Sequence, residues 1–257
     1  MPHTALVRRP GAELLDCELT HLERRPIDLG RALEQHRDYM AALTAAGCEI
    51  EFLPELPDHP DACFVEDTAV VLDGAAVIAR PGADSRRGEV AATRAWLASR
   101  LECIDLQEPC TLDGGDVCRV DDVLLCGWSS RTNHAGLKAL AHAVLSHGFR
   151  VTACEVRGTL HLKSACTWLG DDRLLAAKGL VNLQRVSELE IVAVPDEEPH
   201  GANVLRVGDR LFCSASAPRT LELLDRLGYA VTALEITEFE KAEAGLTCLS
   251  ILVPPRT

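Results

Sequence analysis

Five polar residues of types that active sites use recur along the chain at a near-constant interval: Asp67, Asp116, Ser164, Asn203 and Cys248. The intervals are 49, 48, 39 and 45 residues, a period typical of units that stack or are arranged in a ring. If the units form a ring, the residues that open them converge on one central space. A thiol and several carboxylates would then face one another, and a nucleophilic cysteine needs polar and ionisable neighbours of this kind.

Cys248 is the candidate nucleophile and His161 is the candidate base. An ordinary thiol, with a pKa of about 8.5, carries little thiolate at neutral pH until a nearby base or cation helps it. Of the nine histidines, His161 alone lies in one of the unit openings, within Leu160-His-Leu-Lys-Ser164. Most of the other cysteines lie in or beside apolar segments, so we expect them to be reduced core residues.

Each opening is followed by the same succession of predicted elements. After the first opening, the sequence predicts two short strands, over residues 68–72 and 75–79. Asp73-Gly74 between them is a strong signal for a tight hairpin turn. The apolar spacing then predicts amphipathic helices over residues 85–99, 131–146 and 218–227. Closing strands are predicted over residues 49–53, 101–106, 149–156, 189–194 and 229–236, three of them after the helix-capping glycines Gly47, Gly148 and Gly228.

The fifth hairpin is incomplete, because residues 248–253 supply one strand and no second strand follows. Residues 4–8 are the expected partner, and their pairing would close the units into a ring without open edges. The sequence therefore predicts an α/β fold, a propeller of five strand-strand-helix-strand units around a central channel. Residues 1–257 would form one domain. An open α/β sheet is the alternative.

The composition narrows the class of protein and of ligand. With 257 residues, 47% of them hydrophobic, the chain is long enough to bury a large core. A formal net charge of −13 speaks against a nucleic-acid surface and weakly favours a cationic ligand. The first residues lack the features of a signal peptide, and no apolar run approaches the roughly 20 residues that span a bilayer. We expect a cytoplasmic protein that binds neither nucleic acid nor membrane.

Six short motifs occur in order over nearly the whole chain: Phe64-Val-Glu-Asp67, Arg80-Pro-Gly-Ala-Asp-Ser-Arg-Arg-Gly-Glu89, Leu112-Asp-Gly-Gly-Asp116, Arg131-Thr-Asn133, His161-Leu-Lys163 and Gly245-Leu-Thr-Cys248. In sequence and spacing they closely resemble the dimethylarginine dimethylaminohydrolases of the pentein group. The resemblance implies a five-bladed α/β propeller. It also implies hydrolysis of asymmetric dimethylarginine and monomethylarginine to citrulline and dimethylamine or methylamine, with no metal or other cofactor.

The resemblance further implies the catalytic roles of three residues. Cys248 would attack the guanidinium carbon and form a covalent thiouronium. His161 would protonate the departing amine and then activate water, while Asp113 would orient and charge the imidazole. Some bacterial relatives carry Glu at the position of Asp113, so the shorter carboxylate requires either a closer backbone or a bridging water.

Four charged residues are implied to bind the substrate. Asp67 would pair with the guanidinium nitrogens, because its two acceptor oxygens match their planar fork of donors. Arg86 and Arg131 would hold the α-carboxylate, and Asp61 would meet the α-ammonium. Together these charges would recognise a free α-amino acid rather than a residue within a peptide.

Two further residues are implied to lie at the site. Glu66 would contact the ligand or buttress Asp67. Residues 10–26 would form a flexible lid, in which Leu19 would contact the substrate.

Three polar residues beside the motifs are expected to be structural. Asp116 and Asp73 are predicted to lie at a strand start and a turn, because Asp is favoured at such positions. Lys163 is predicted to lie on a strand, on the face opposite His161.

Other functions are consistent with parts of this pattern. Arginine deiminases act on unmethylated arginine and carry an inserted helical domain, for which the repeat spacing leaves no room. Agmatine deiminases act on a substrate without a carboxylate, which would leave Arg86 and Arg131 without a role. Amidinotransferases transfer the amidine to an amine and are usually longer chains. A non-catalytic propeller that binds a ligand is the remaining alternative, and the sequence is compatible with a homodimer.

Overall fold

Five small β-sheets surround a central channel in the computed structural model, which describes residues 3–255. In each sheet the middle strand pairs antiparallel with one neighbour and parallel with a closing strand that comes later in the chain. We call each sheet, with its helix where it has one, a blade. The alternative of one open sheet is wrong, because the strands of residues 3–255 fall into five separate sheets.

The strands of the five blades are, in order from the channel outward, as follows: blade 1, Ile251–Val253, Thr4–Val7 and Glu49–Phe52; blade 2, Ala69–Val71, Ala75–Ile78 and Glu102–Asp105; blade 3, Val117–Val120, Val123–Trp128, Arg150–Val156 and Val181–Asn182; blade 4, Cys166–Gly170, Arg173–Ala176 and Glu190–Ala193; blade 5, Leu205–Val207, Arg210–Ser214 and Ala230–Leu234. Blade 1 closes the ring as predicted, with Thr4 opposite Val253.

Four blades carry an α-helix before the closing strand: Leu29–Ala45, Val90–Ala98, His134–Leu145 and Pro218–Arg226. Two of these helices begin later than predicted. A 3₁₀ helix over Asp84–Glu89 precedes the second helix, and the side chain of Asn133 caps the third by accepting from the Gly136 N–H over 2.7 Å. Gly47, Gly148 and Gly228 have φ values of +91°, +84° and +89°, the left-handed conformation that ends a helix.

Blade 4 lacks a helix between its second and closing strands. Its connection instead contains Val181–Asn182, which pairs antiparallel with Arg150–Val156 of blade 3. Gly179 has a φ of +81°, and the following segment mixes β-branched and turn-forming residues, a combination that disfavours a helix. The prediction that every unit contains a helix is therefore wrong for this one.

Helical turns, rather than strand ends, carry the unit openings. The turns are Val65–Thr68, Gly114–Asp116, Leu162–Ala165, Pro199–Ala202 and Leu246–Leu249. Each precedes the first strand of a blade, and turns from neighbouring blades contact one another. Lys163 lies in one of these turns, so the prediction that it occupies a strand is wrong.

First strands from all five blades line a cavity of about 490 Å³, which is the central channel. Residues that contribute include Val70, Cys118, Trp168, Arg206 and Leu252. The polar openings lie at one end of this channel, as the repeat predicted. No helix within residues 3–255 is both long enough and apolar enough to cross a membrane.

Candidate active site

Six of the predicted site residues line one small cavity of about 20 Å³, together with Glu18 and Glu243: Asp61, Asp67, Arg86, Arg131, His161 and Cys248. Three other predicted residues lie around it rather than in it. Asp113 contacts His161, Leu19 packs against the hydrophobic core that contains Cys248, and Glu66 lines the channel cavity.

Cys248 lies in the turn Leu246–Leu249 with 8% of its surface exposed. The Gly245 N–H donates to its Sγ over 3.4 Å. Burial raises the pKa of the Cys248 thiol to about 12, and the charges of Glu66 and Asp67 add to the rise. The thiol is therefore protonated at neutral pH in the free protein.

His161 is held between two carboxylates. Its Nε2 lies 3.0 Å from Asp113 Oδ2, and its Nδ1 lies 3.8 Å from Asp67 Oδ1. Burial lowers the pKa of His161, but the charge of Asp67 and the hydrogen bond with Asp113 outweigh it and raise the pKa to about 9. At neutral pH the side chain is an imidazolium. Asp113 reaches it directly, so the shorter carboxylate needs no bridging water.

Asp113 and Asp116, just before the first strand of blade 3, are fixed by groups from three blades. Asp113 Oδ1 accepts from the Gly82 N–H over 2.8 Å, and the Asp113 N–H donates to Thr132 Oγ1 over 3.2 Å. Thr132 in turn donates to Asp116 Oδ2 over 2.6 Å. Asp116 Oδ1 accepts from the Leu162 N–H over 2.9 Å, directly after His161. Asp116 precedes a strand as predicted, and it also anchors the backbone that presents His161.

Arg86 is buried and neutralised by two carboxylates. Its Nη1 donates to Asp67 Oδ2 over 2.5 Å, and its Nη2 donates to Glu89 Oε2 over 2.8 Å. The same Nη2 also donates to the backbone carbonyls of Asp61 and Phe64. Most of the guanidinium donors are therefore already used within the protein. The prediction that Arg86 binds a ligand carboxylate stays a prediction.

Asp67 is ionised in this environment. Burial raises the pKa of Asp67, but the charges of His161 and Arg86 outweigh it and lower the pKa to about 2. Gly115 lies between Asp67 and His161, and its N–H donates to Asp67 Oδ1 over 2.9 Å. A Cβ at Gly115 would lie 2.6 Å from Asp67 Oδ1 and 2.8 Å from His161 Nδ1. The sequence signal for this close approach was the Gly-Gly pair at the start of blade 3.

Arg131 and Asp61 face residue Glu18 of the lid. Arg131 Nη2 donates to Glu18 Oε2 and to Thr20 Oγ1, each over 3.4 Å. Asp61 Oδ2 accepts from the Glu18 N–H over 3.2 Å. Burial raises the pKa of Asp61 to about 6, although Arg86 opposes the rise. Sequence reasoning gave Glu18 no role, and no local signal in the lid pointed to it.

The lid is tied to the end of blade 5 by one carboxylate. Glu243 Oε1 accepts from the backbone N–H groups of Thr20, His21 and Leu22, over 3.0, 2.5 and 2.5 Å. A 3₁₀ helix over Ala12–Asp16 forms the first part of the lid. The flexibility predicted for the lid stays a prediction.

Asn203 joins the turn that follows His161 to the turn that contains Cys248. Its Oδ1 accepts from the Thr247 N–H over 3.1 Å, and its Nδ2 donates to the Lys163 carbonyl over 2.9 Å and to Thr247 Oγ1 over 3.0 Å. Glu66 completes the network by accepting from Lys163 Nζ over 2.5 Å and from Thr247 Oγ1 over 2.7 Å. In the sequence Asn203 stands out only as a unit opening, and that position is the signal for its place beside the turn of Cys248.

One group of side chains has metal-ligating atoms close together, namely Asp67, Asp113 and His161, whose atoms lie within 4.8 Å of one another. Their contacts account for this arrangement without an ion, because Asp113 is hydrogen-bonded to His161 and Asp67 is paired with Arg86. A divalent cation there would also face the positive charges of His161 and Arg86. The prediction that the chain needs no metal stays a prediction.

Comparison with known proteins identifies the family. A family model described as eukaryotic N,N dimethylarginine dimethylhydrolase matches residues 21–222. The N(G),N(G)-dimethylarginine dimethylaminohydrolase of Streptomyces coelicolor is 44% identical over 250 residues, which cover 96% of this chain and 95% of that protein. The chain belongs to the dimethylarginine dimethylaminohydrolase family. The family member from Pseudomonas aeruginosa is 34% identical, with 96% of this chain and 97% of that protein covered.

A solved structure of a dimethylarginine dimethylaminohydrolase shares the fold. It is a cysteine-to-serine mutant of the Pseudomonas aeruginosa enzyme complexed with citrulline. The TM-score is 0.93 at 32% identity, and the match covers 98% of this chain and 99% of the other. The predicted pentein propeller and the predicted family are therefore both confirmed.

Proposed function

We propose that this chain hydrolyses asymmetric dimethylarginine and monomethylarginine to L-citrulline, releasing dimethylamine or methylamine. The observation that carries the proposal is the buried cavity in which the Cys248 thiol, the His161 imidazolium and the Asp67 carboxylate meet, in a member of this family. A propeller that only binds a ligand would have no use for a nucleophile in that position.

The cationic substrate would activate the thiol. In the free protein the thiol of Cys248 is buried and lies near Glu66 and Asp67, so a second negative charge is disfavoured. A guanidinium beside these carboxylates offsets their charge and lowers the pKa of the thiol. The thiol proton leaves to water, and the sulfur bonds to the guanidinium carbon to give a tetrahedral adduct.

His161 would then act first as an acid and later as a base. As an imidazolium it gives its proton to the amine nitrogen while the bond between carbon and that nitrogen breaks. The remaining thiouronium is attacked by a water molecule, whose proton the neutral imidazole accepts. The bond between carbon and sulfur then breaks, the hydroxyl proton of the adduct passes to the departing sulfur, and citrulline forms with the Cys248 thiol restored. Asp113 keeps the ring oriented through both steps.

Recognition of the α-amino acid would rest mainly on Arg131 and Asp61. Asp67 keeps acceptor capacity for the guanidinium, because each carboxylate oxygen accepts more than one hydrogen bond. Arg86 is so fully engaged that we assign it chiefly to holding Asp67 in place. Among residues 3–255, the partners of the Arg131 guanidinium all lie on the lid, so Arg131 is the cation that a ligand carboxylate reaches.

Domain organisation, cellular location and oligomeric state were also predicted from the sequence. We propose that residues 1–257 act as one pentein catalytic domain on a small-molecule substrate. A cytoplasmic location and a homodimer stay predictions from the sequence.

Citrulline formation from asymmetric dimethylarginine and from arginine, measured in parallel, tests the proposal. The native chain should convert the methylated substrate, and Cys248→Ala should not. Cys110→Ala is the matched control, because Cys110 is partly exposed and away from the cavity. Conversion of arginine instead would move the chain to the deiminase class. Conversion of neither substrate would make the binding propeller the better explanation.

A further inference from the structure

Glu18 of the lid occupies both ends of the subsite that a free α-amino acid would use. Its backbone N–H donates to Asp61 Oδ2 over 3.2 Å, where the proposed function places the substrate α-ammonium. Its carboxylate accepts from Arg131 Nη2 over 3.4 Å, where the proposed function places the substrate α-carboxylate. The other carboxylate oxygen accepts from the Ser85 hydroxyl. One residue thus offers a donor to Asp61 and a carboxylate to Arg131, the two kinds of group that an α-amino acid would offer there.

We propose that Glu18 is a built-in substitute for the amino-acid end of the substrate, and that it determines specificity because a ligand must displace it from both Asp61 and Arg131. The inference rests on the proposed function for the identity of that ligand.

The small size of the cavity requires part of its lining to move before a substrate binds. Only about 20 Å³ remains under the lid, whereas small-molecule sites commonly measure roughly 300–1,000 Å³. Glu18 is one of the residues that line the cavity, and it occupies both proposed contacts of the amino-acid end. Glu18 is therefore the lining residue whose displacement frees that end of the subsite.

Charge makes the exchange selective. Arg86 is already neutralised by Asp67 and Glu89, so Arg131 is the cation for which Glu18 and a ligand carboxylate compete. A ligand carboxylate that takes the place of Glu18 at Arg131 replaces the ion pair that Glu18 gives up. A ligand that lacks the carboxylate leaves the ion pair between Glu18 and Arg131 intact. Binding of such a ligand is therefore opposed by the protein itself.

The lid can release Glu18 without unfolding. The Glu18 side chain is 40% exposed, so water replaces the contacts that its carboxylate loses when it moves out. The neighbouring segment stays tied by Glu243, which accepts from Thr20, His21 and Leu22. The contacts of Glu18 with Asp61 and Arg131 can therefore be exchanged for contacts with a ligand while the anchor at Glu243 stays in place.

The test combines turnover with the accessibility of Cys248 in Glu18→Ala, Glu18→Gln and the matched control Glu23→Gln, a change at an exposed lid glutamate. With asymmetric dimethylarginine, KM should fall about two- to fivefold in both Glu18 variants, the strength of a partly exposed ion pair. The kcat should change less than KM. Alkylation of Cys248 by a thiol-reactive amidine, followed by mass spectrometry, should accelerate by a similar factor. The Glu23 variant should match the native chain in both measurements.

Two results would overturn the inference. A higher KM in the Glu18 variants would mean that Glu18 contacts the bound substrate, and an unchanged alkylation rate would mean that it does not close the subsite. The alkylation readout needs no turnover. If the native chain fails to form citrulline, the proposed function fails, and the effect of Glu18 on access to Cys248 is still decided separately.

Discussion

Asp113→Asn removes one negative charge from the neighbourhood of His161 and nearly preserves the shape of the side chain. Asp113 uses one oxygen for the Gly82 N–H and the other for His161 Nε2, over 2.8 and 3.0 Å. An amide offers a single acceptor oxygen, so one of the two contacts is lost. The charge that stabilises the imidazolium is lost in either orientation.

The size of the effect follows from that hydrogen bond. A hydrogen bond to a charged group contributes about 1.5–3 kcal/mol, and about 1.4 kcal/mol corresponds to a tenfold change in an ionisation constant. The pKa of His161, about 9 in the native chain, should therefore fall to between about 7 and 8 in the variant. It should not return fully to an ordinary value, because the charge of Asp67 remains.

Two measurements check this prediction. Titration of the His161 ring by NMR gives its pKa directly, and the alkaline limb of kcat/KM for asymmetric dimethylarginine should move to lower pH in parallel. Asp73→Asn is the control, because Asp73 forms an exposed ion pair with Arg119 and does not line the small cavity at Cys248. A pKa that stays near 9 in Asp113→Asn would refute the reasoning and assign the shift to Asp67.

Three further predictions concern the packing and charge of the site. Gly115→Ala should lower the free energy of unfolding by about 1–3 kcal/mol and remove most of the activity, because the new Cβ would clash with Asp67 and His161. Thermal unfolding and turnover measure the two effects. Asn203→Ala should lower the free energy of unfolding in urea by about 1–3 kcal/mol, because the buried Thr247 N–H loses its acceptor. The raised pKa of His161 stabilises the fold below about pH 6.5, and this contribution is lost as the pH rises through about 9. Between about pH 6.5 and pH 9, the free energy of unfolding should therefore fall by about 3 kcal/mol more in the native protein than in the His161→Gln variant. Urea unfolding at each pH measures this difference.

Local signals predicted most of the propeller. The Asp73-Gly74 turn and the glycines after the helices act within a few residues, and the repeat copies them along the chain. Ring closure was predictable because residues 248–253 lacked a hairpin partner and residues 4–8 supplied one. The missing helix of blade 4 was not predicted, because the segment that replaces it pairs with a strand of another blade.

The predictable part of the site was its set of residues rather than its contacts. The unit openings and the family resemblance predicted that Cys248, His161 and Asp67 would meet, and these residues line one cavity. The engagement of Arg86 by Glu89 and backbone carbonyls could not be foreseen, because it depends on how a 3₁₀ helix packs after folding. Glu18 was missed for a similar reason, since its partners are distant in sequence.

The ion pair between Glu66 and Lys163 bears on the route by which small molecules enter and leave. Both residues line the wide channel cavity, and neither lines the small cavity at Cys248. The two cavities share no lining residue, and Glu18 of the lid lines only the one at Cys248. If one entrance beneath the lid serves amine, water and citrulline alike, the amine departs before the hydrolytic water takes its place. Labelled dimethylamine added in excess should re-enter by that route and exchange into unreacted substrate.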